Sequence, residues 1–238
     1  MKTLGIIGGL GPMASAYLLR LIIEMTDAKT DQEHLDVILF DRPQVPDRTA
    51  YILDRTKPSP LPSMRDTAQT LERLGAGVIC APCVTSHYFY DELQESVSVP
   101  FLHMVEETGR ELLSMGRKTV GILATTGTVS SGLFQTAFEK LGLSALVPSE
   151  QGQALVMAMI YEEIKAGKAV DQEKLQAVSK ELLGRGCDSL VLGCTELSLI
   201  KRDLPLGHGY LDALEVLSKR CVEACGAPLK PAYRQLLT

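Results

Sequence analysis

The sequence predicts an α/β fold built from two pseudo-symmetric, doubly wound domains, each with a mainly parallel four-stranded sheet. Short apolar runs bounded by turn residues alternate with stretches of helical spacing along all 238 residues, as buried parallel strands and their covering helices should. The pattern also occurs twice. Lys2-Thr3-Leu4-Gly5-Ile6-Ile7 reappears as Lys118-Thr119-Val120-Gly121-Ile122-Leu123, and each copy runs into a Gly/Thr-rich turn. A cysteine then stands at the same place in each copy: Gly75 leads through Val78-Ile79 to Cys83, and Gly186 leads through Leu190-Val191 to Cys194, with identical spacing.

In chain order, the expected strands are Leu4 to Ile7, Val37 to Phe40, Gly77 to Cys80, Val99 to Leu102, Val120 to Leu123, Ala145 to Val147, Ser189 to Leu192 and Leu206 to Tyr210. Between them, apolar residues recur every three to four positions over Ser15 to Thr26, Met64 to Leu74, Asp91 to Val97, Val105 to Ser114, Leu133 to Leu141, Ala154 to Ala166, Gln172 to Leu183 and Ala213 to Ala224, which predicts helices. The expected domains are residues 1–104 with 209–238, and residues 105–208. Ligands of such sheets gather beyond the carboxyl ends of strands, where Cys83 and Cys194 both fall.

Composition narrows the function classes. A net charge of -5 without a basic stretch excludes nucleic acid as an expected partner. No apolar run is long enough to span a bilayer, and Leu4 to Ile7 is too short for a signal-peptide core, so no membrane partner is expected and the expected location is cytoplasmic. Without a secretion signal, six cysteines read as thiols rather than a disulfide framework. Cys80 lies inside an apolar strand, and Cys221 and Cys225, one helical turn apart, have no accompanying metal ligands; packing is the expectation for all three.

Two motifs compete with the paired cysteines. Cys80-Ala81-Pro82-Cys83 has the spacing of a dithiol redox site, but the second copy replaces the residue matching Cys80 with Val191. Gly9-Leu10-Gly11-Pro12-Met13-Ala14, with Asp41 near the end of the next strand, fits a dinucleotide fingerprint and so a nicotinamide oxidoreductase. Pro12 is equally expected as a helix-starting residue, and the second copy, Thr125-Thr126-Gly127-Thr128, loses the glycine spacing. No phosphate-binding G-x-x-x-x-G-K-[ST] loop is present.

Gly8-Gly9-Leu10-Gly11-Pro12, Pro43-Gln44-Val45-Pro46-Asp47-Arg48-Thr49, Pro82-Cys83-Val84-Thr85-Ser86-His87, Tyr161 to Lys165 and Gly193-Cys194-Thr195-Glu196 together resemble the aspartate/glutamate racemase family, most of all its microbial aspartate racemases. The similarity runs over nearly the whole chain. It implies an active site in the interdomain cleft, a small-molecule amino-acid substrate with two carboxylates, no cofactor and a homodimer.

The chemistry of the residues agrees. Inverting an amino-acid stereocentre needs a base on one face of the α-carbon and an acid on the other, and two cysteines serve both directions. A helix start favours a thiolate through its unpaired N–H groups and dipole. Without pyridoxal phosphate, aimed donors must stabilise an enediolate-like carboxylate; backbone amides after each cysteine, with Thr85, Thr195, Thr125 and Thr128, are the candidates, although each threonine also reads as a helix cap. The resemblance assigns Arg48, as a guanidinium fork over the cleft, and Lys165 to the distal carboxylate. Glu196 reads as positioning the helix start or the substrate ammonium. His87, one turn after Cys83, reads as a capping or packing residue before a catalytic one.

Two departures from the family pattern bear on specificity. Val84 stands where an Asn usually comes after the first cysteine, and His208 occupies a place where a Pro-Leu-x-Asp run is common. The expectation is therefore a cofactor-independent racemase of acidic amino acids, aspartate favoured and glutamate accepted. The alternatives are an isomerase or decarboxylase of dicarboxylic acids on the same fold, or a non-catalytic amino-acid-binding protein.

Overall fold

Two parallel sheets form the frame of the computed structural model, which describes residues 1–238. The first holds β1 (Leu4–Gly8), β2 (Val37–Asp41) and β3 (Val78–Cys80) in the order β2-β1-β3. The second holds β4 (Thr119–Leu123), β5 (Ser144–Leu146), β6 (Ser189–Leu192) and β7 (Tyr210–Asp212) in the order β5-β4-β6-β7. The duplication extends to register. Gly5 pairs with Ile79 and Gly121 with Leu190, and each partner precedes its cysteine by the same interval. Gly75 and Gly186 take up matching left-handed conformations, φ +95 and +93, which suit glycine at the helix-to-strand turn.

Two expectations are corrected. The fourth strand of the first sheet shrinks to one bridge, Ile79 to Phe101. The Ile79 N–H donates to the Pro100 carbonyl and the Leu102 N–H to the Ile79 carbonyl, but Pro100 has no N–H to continue the ladder towards β3, while the Phe101 N–H on the outer side donates to the side-chain oxygen of Gln94. The last strand starts later than its apolar run suggests, and it pairs with β6; the second sheet therefore includes Tyr210–Asp212, beyond the boundary expected at residue 208.

Eleven helices cover the sheets: α1 (Pro12–Met25), α2 (Arg48–Leu53), α3 (Leu61–Arg73), α4 (Tyr90–Glu95), α5 (Met104–Ser114), α6 (Thr126–Ser130), α7 (Leu133–Lys140), α8 (Glu150–Ala158), α9 (Gln172–Gly184), α10 (Thr195–Asp203) and α11 (Ala213–Ala224); α2, α6 and α10 have no counterpart among the eight that apolar spacing predicts. The expected Ala154 to Ala166 helix divides, because after α8 the chain widens into a π-helix over Met159–Ile164. Helix α11 packs on α1 and α5, and the largest apolar cluster draws residues from β1, β4, α1, α5 and α11, so the two sheets share a core. No helix is long and apolar enough to cross a membrane.

A buried acid joins α10 to α11. Asp212 Oδ1 accepts from the Ser198 hydroxyl at 2.7 Å and the Leu214 N–H at 2.8 Å, while Oδ2 is buried without a partner. Burial, and then the neighbouring charge of Glu215, push its pKa up to about 7. An unfolded Asp titrates near ~3.9, so this residue's contribution to stability is complete below that value and is lost as pH rises through about 7. Asp212→Asn is expected to flatten the fall in stability over that interval; urea midpoints of both proteins at about pH 4.5 and 7.5 measure it, and parallel profiles would contradict it.

Candidate active site

Cys83 and Cys194 occupy the same structural position in the two copies. Each is an extended residue just past the carboxyl end of a parallel strand, β3 or β6, and caps the next helix: Cys83 the 3-10 helix Val84–Phe89, Cys194 the helix α10. The Cys83 carbonyl accepts from the Ser86 N–H, and the Cys194 carbonyl from the Leu197 N–H, which closes the first turn in each case. Both cysteines are 6% exposed, and both line one pocket with Arg48, Val84, Thr85, Thr125, Lys165, Thr195 and Glu196. Its cavity is about 20 Å³ for the centre of a water-sized sphere, roughly room for a single water.

Thr128 does not line this pocket; it supports two threonines that do. The hydroxyls of Thr85, Thr125 and Thr128 form a triangle with sides of 2.9 to 3.1 Å, and Thr49 adds a longer contact to Thr125 at 3.4 Å. Thr85 comes after the first sheet and Thr125 and Thr128 lie in the second copy, so this triangle closes the seam between the copies. Thr125 also caps α6, accepting from the Thr128 N–H at 3.3 Å.

Around Cys194 runs a chain of polar contacts. Its thiol donates to Glu196 Oε2 at 3.0 Å, and Glu196 Oε1 pairs with Lys165 Nζ at 2.9 Å. Burial, then the Glu196 charge and hydrogen bond, raise the Cys194 pKa well above that of a free thiol. Burial alone would lower Lys165; the Glu196 carboxylate outweighs it and leaves the ammonium pKa raised. The π-helix brings Lys165 there, directly after Ile164 and one turn beyond Tyr161, whose ring lies 5.3 Å from Nζ.

Arg48 is not an open fork. It begins helix α2 instead of lying in a loop, and it is 9% exposed. Nη1 donates to the carbonyls of Val45 and Pro46, at 3.3 and 3.1 Å, and Nη2 to that of Leu10 at 3.0 Å. Burial works against its charge, but Cys83 beside it supports the cation and leaves its pKa raised. The Nη groups are thus held by backbone carbonyls, while Nε is buried without a protein partner.

Leu10, Asp47, Thr49 and Tyr161 complete the lining, and the sequence pattern alone gave none of them a role. Tyr161 precedes Lys165 by one helical turn, so helical spacing points to that one, while Asp47 and Thr49 are only chain neighbours of Arg48. His87 turns away from the pocket. Its ring stacks on His103, with centroids 5.2 Å apart, and packs edge-on to Phe101; burial holds it neutral, with a pKa pushed down to about 3.

The dinucleotide-like turn faces a carboxylate. Gly9, with φ +86, makes the tight turn, and a Cβ on Gly11, the glycine past which a pyrophosphate would approach, would come 3.1 Å from Glu196 Oε1, whose charge opposes a phosphate there. Cys80, Cys221 and Cys225 are sealed in the core, as packing residues should be.

Comparison with known proteins agrees with this geometry. Residues 7–218 match the Asp/Glu/Hydantoin racemase family. The chain belongs to that family. It is 26% identical over 227 residues to a broad specificity amino-acid racemase of Bacillus subtilis, covering 92% of this chain and 96% of that protein. Among solved structures it resembles the Picrophilus torridus aspartate racemase, with 29% identity, a TM-score of 0.83 and 99% of both chains covered. It also resembles an aspartate racemase homologue from Pyrococcus horikoshii, at 25% identity and TM-score 0.76 over 94% of this chain and 99% of the other. Family and fold place it among the amino-acid racemases that work without pyridoxal phosphate.

The Glu196 contact carries an electrostatic prediction. In a Cys83→Ser background, Glu196→Gln is expected to move alkylation of Cys194 to lower pH, because a neutral amide no longer opposes the thiolate. Iodoacetamide labelling across a pH series, resolved cysteine by cysteine with mass spectrometry, measures it; an unchanged or higher midpoint would contradict the assignment.

Proposed function

We infer that the protein interconverts the L- and D-enantiomers of an amino acid with Cys83 and Cys194 as paired acid and base, one thiolate and one thiol exchanging roles with substrate handedness. The observation that carries this is the equivalence of the two cysteines: matched helix caps at matched strand ends, opening onto one pocket. A thiolate at one end removes the α-proton, and the thiol at the other returns a proton to the opposite face, so each turnover inverts the centre and leaves the two sulfurs with exchanged protonation states.

Carbanion stabilisation falls to the hydroxyl and amide donors between them. Thr85 and Thr125 line the pocket, and Thr128 ties both in place, so their hydroxyls are preorganised for the carboxylate that takes up enediolate character. Arg48 lies beside Cys83 at one end of the pocket. Glu196 acts on the other sulfur and keeps the proton of Cys194 on. An isomerase or decarboxylase of dicarboxylic acids has less support, because the family and the relatives matched are amino-acid racemases.

In heavy water, solvent deuterium is expected to enter the α-position of an accepted amino acid without added pyridoxal phosphate, and the opposite enantiomer to accumulate. Cys83→Ser and Cys194→Ser should each lower interconversion by about 100-fold or more, the range typical of a lost acid or base, with the thermal unfolding profile retained. Racemisation by either serine variant at the parent rate would end the two-thiol proposal.

A further inference from the structure

The peptide groups on either side of Cys83 are held by residues three and four places further on. The Cys83 carbonyl accepts from the Ser86 N–H at 3.1 Å and from the Ser86 hydroxyl at 2.6 Å. The Cys83 N–H donates to the Ala81 carbonyl at 2.9 Å, which makes a three-residue turn centred on Pro82. That carbonyl has a second lone pair, and His87 Nε2 lies 3.4 Å from it. We propose that His87 is a positioning residue for Cys83: its ring holds the Ala81 carbonyl and so fixes the turn that presents the sulfur. This rests on the racemase reading.

A carbonyl only accepts, so the contact puts a hydrogen on Nε2. Burial keeps the ring uncharged, which leaves Nδ1 as a bare nitrogen, and Nδ1 is buried without a partner. His87 is not part of the pocket lining, so it acts on the sulfur through the backbone alone. The ring itself has little freedom. Tyr90, Phe101 and His103 enclose it, with centroids 6.5, 6.0 and 5.2 Å away, and a donor locked by packing holds its acceptor within a narrow range.

The second copy uses the same place in another way. Ser198 follows Cys194 at the interval by which His87 follows Cys83, and the Leu190–Tyr210 pair matches the Ile79–Phe101 bridge. Two residues beyond those partners stand Asp212 and His103, each the cap of the helix that follows. His103 Nδ1 accepts from the Glu106 N–H at 3.3 Å, and Asp212 Oδ1 from the Leu214 N–H at 2.8 Å. His87 stacks on His103, and Ser198 donates to Asp212 at 2.7 Å. One turn past each cysteine, therefore, a side chain meets the cap of the next helix.

The copies differ at the residue before the sulfur, and that difference explains why the first needs an added donor. The Gly193 N–H donates to the Leu123 carbonyl of β4 at 2.7 Å, so the second turn stays bonded to its sheet up to Cys194. Pro82 stands at the matching place before Cys83 and has no N–H, so the same bond to β1 cannot form. The contact of His87 with Ala81 restores a hydrogen bond to the turn that the proline has released. Ser198 has no such task, and its hydroxyl goes to Asp212.

The test uses the full-length protein with His87→Gln, His87→Asn and His87→Leu. A Gln amide reaches the place of Nε2 and donates there, an Asn amide ends near the place of Nδ1, and Leu has no donor. With an accepted amino acid, kcat for racemisation is expected to fall about tenfold or more in His87→Leu and His87→Asn, with KM within about twofold, and to stay within about threefold of the parent in His87→Gln. Iodoacetamide labelling, resolved cysteine by cysteine, should show Cys83 gaining about threefold or more over Cys194 in His87→Leu, since access limits a buried sulfur and the released turn opens it. Both cysteines moving together, with no rescue by Gln, would mark a loss of packing alone and count against the proposal. Parent kcat in His87→Leu, or equal losses in every variant, overturns it; if His87→Leu does not fold, the Asn and Gln pair decides in the same way. No racemisation by the parent with any amino acid overturns the racemase reading instead, and the labelling ratio of Cys83 to Cys194 then decides the positioning claim.

Discussion

A cysteine fixed at the cap of a helix, just past the end of a buried parallel strand, is the constraint on which the site depends. The strand supplies a rigid origin, and the helix supplies N–H groups and a dipole at the point where the chain leaves the sheet. Cys83 and Cys194 are both held this way, with their backbone carbonyls closing the first turn of the helix each one caps. A thiol on a mobile loop would lose this electrostatic environment with each excursion. Here the sulfur position is set by sheet register, which is the same in both copies.

Symmetry in the scaffold does not extend to the surroundings of the two sulfurs. Cys83 has a buried guanidinium nearby and Cys194 a carboxylate within hydrogen-bonding distance. Two identical thiols at one pocket would compete to ionise, and the second charge would be opposed by the first. Glu196 acts on one side of that competition by keeping the proton of Cys194 on. The second buried acid near α10, Asp212, lies on the face of that helix turned towards α11, where it bonds Ser198. Buried polar contacts of α10 thus lie on two sides, towards the pocket through Glu196 and away from it through Ser198.

The sheets, their parallel direction and the covering helices were legible because period and repeat are properties of residue order. The two cysteines were legible for the same reason, as a matched interval after matched glycines. What escaped was set by contacts between distant segments. The Phe101 bridge has Gln94 on its outer side, taking the N–H that a further strand would need, and the pairing of β7 depends on which sheet edge is nearer. Arg48 shows the limit most clearly: its motif marks it and it does line the pocket, but its guanidinium direction is decided by the carbonyls of Leu10, Val45 and Pro46, which no spacing rule reveals. The π-helix is similar. A continuous apolar period over Ala154 to Ala166 gives no sign of the wider turn that brings Tyr161 and Lys165 to the pocket.

The hydroxyl triangle explains how so narrow a cavity can serve an amino acid. The cavity of about 20 Å³ is smaller than an amino acid, so a bound carboxylate must take the place of contacts among the lining side chains. Across the seam between the copies, the contacts of Thr85 with Thr125 and Thr128 are neutral hydroxyl bonds, each contributing only about 0.5–1.5 kcal/mol net, and the Thr49 contact is longer still. A substrate carboxylate accepts from these same hydroxyls and forms charge-assisted bonds, which are stronger than the neutral ones it replaces. The closed form therefore holds the donors in place for the substrate, and binding exchanges weak contacts for better ones, while the shared core around α1, α5 and α11 keeps the two sheets joined.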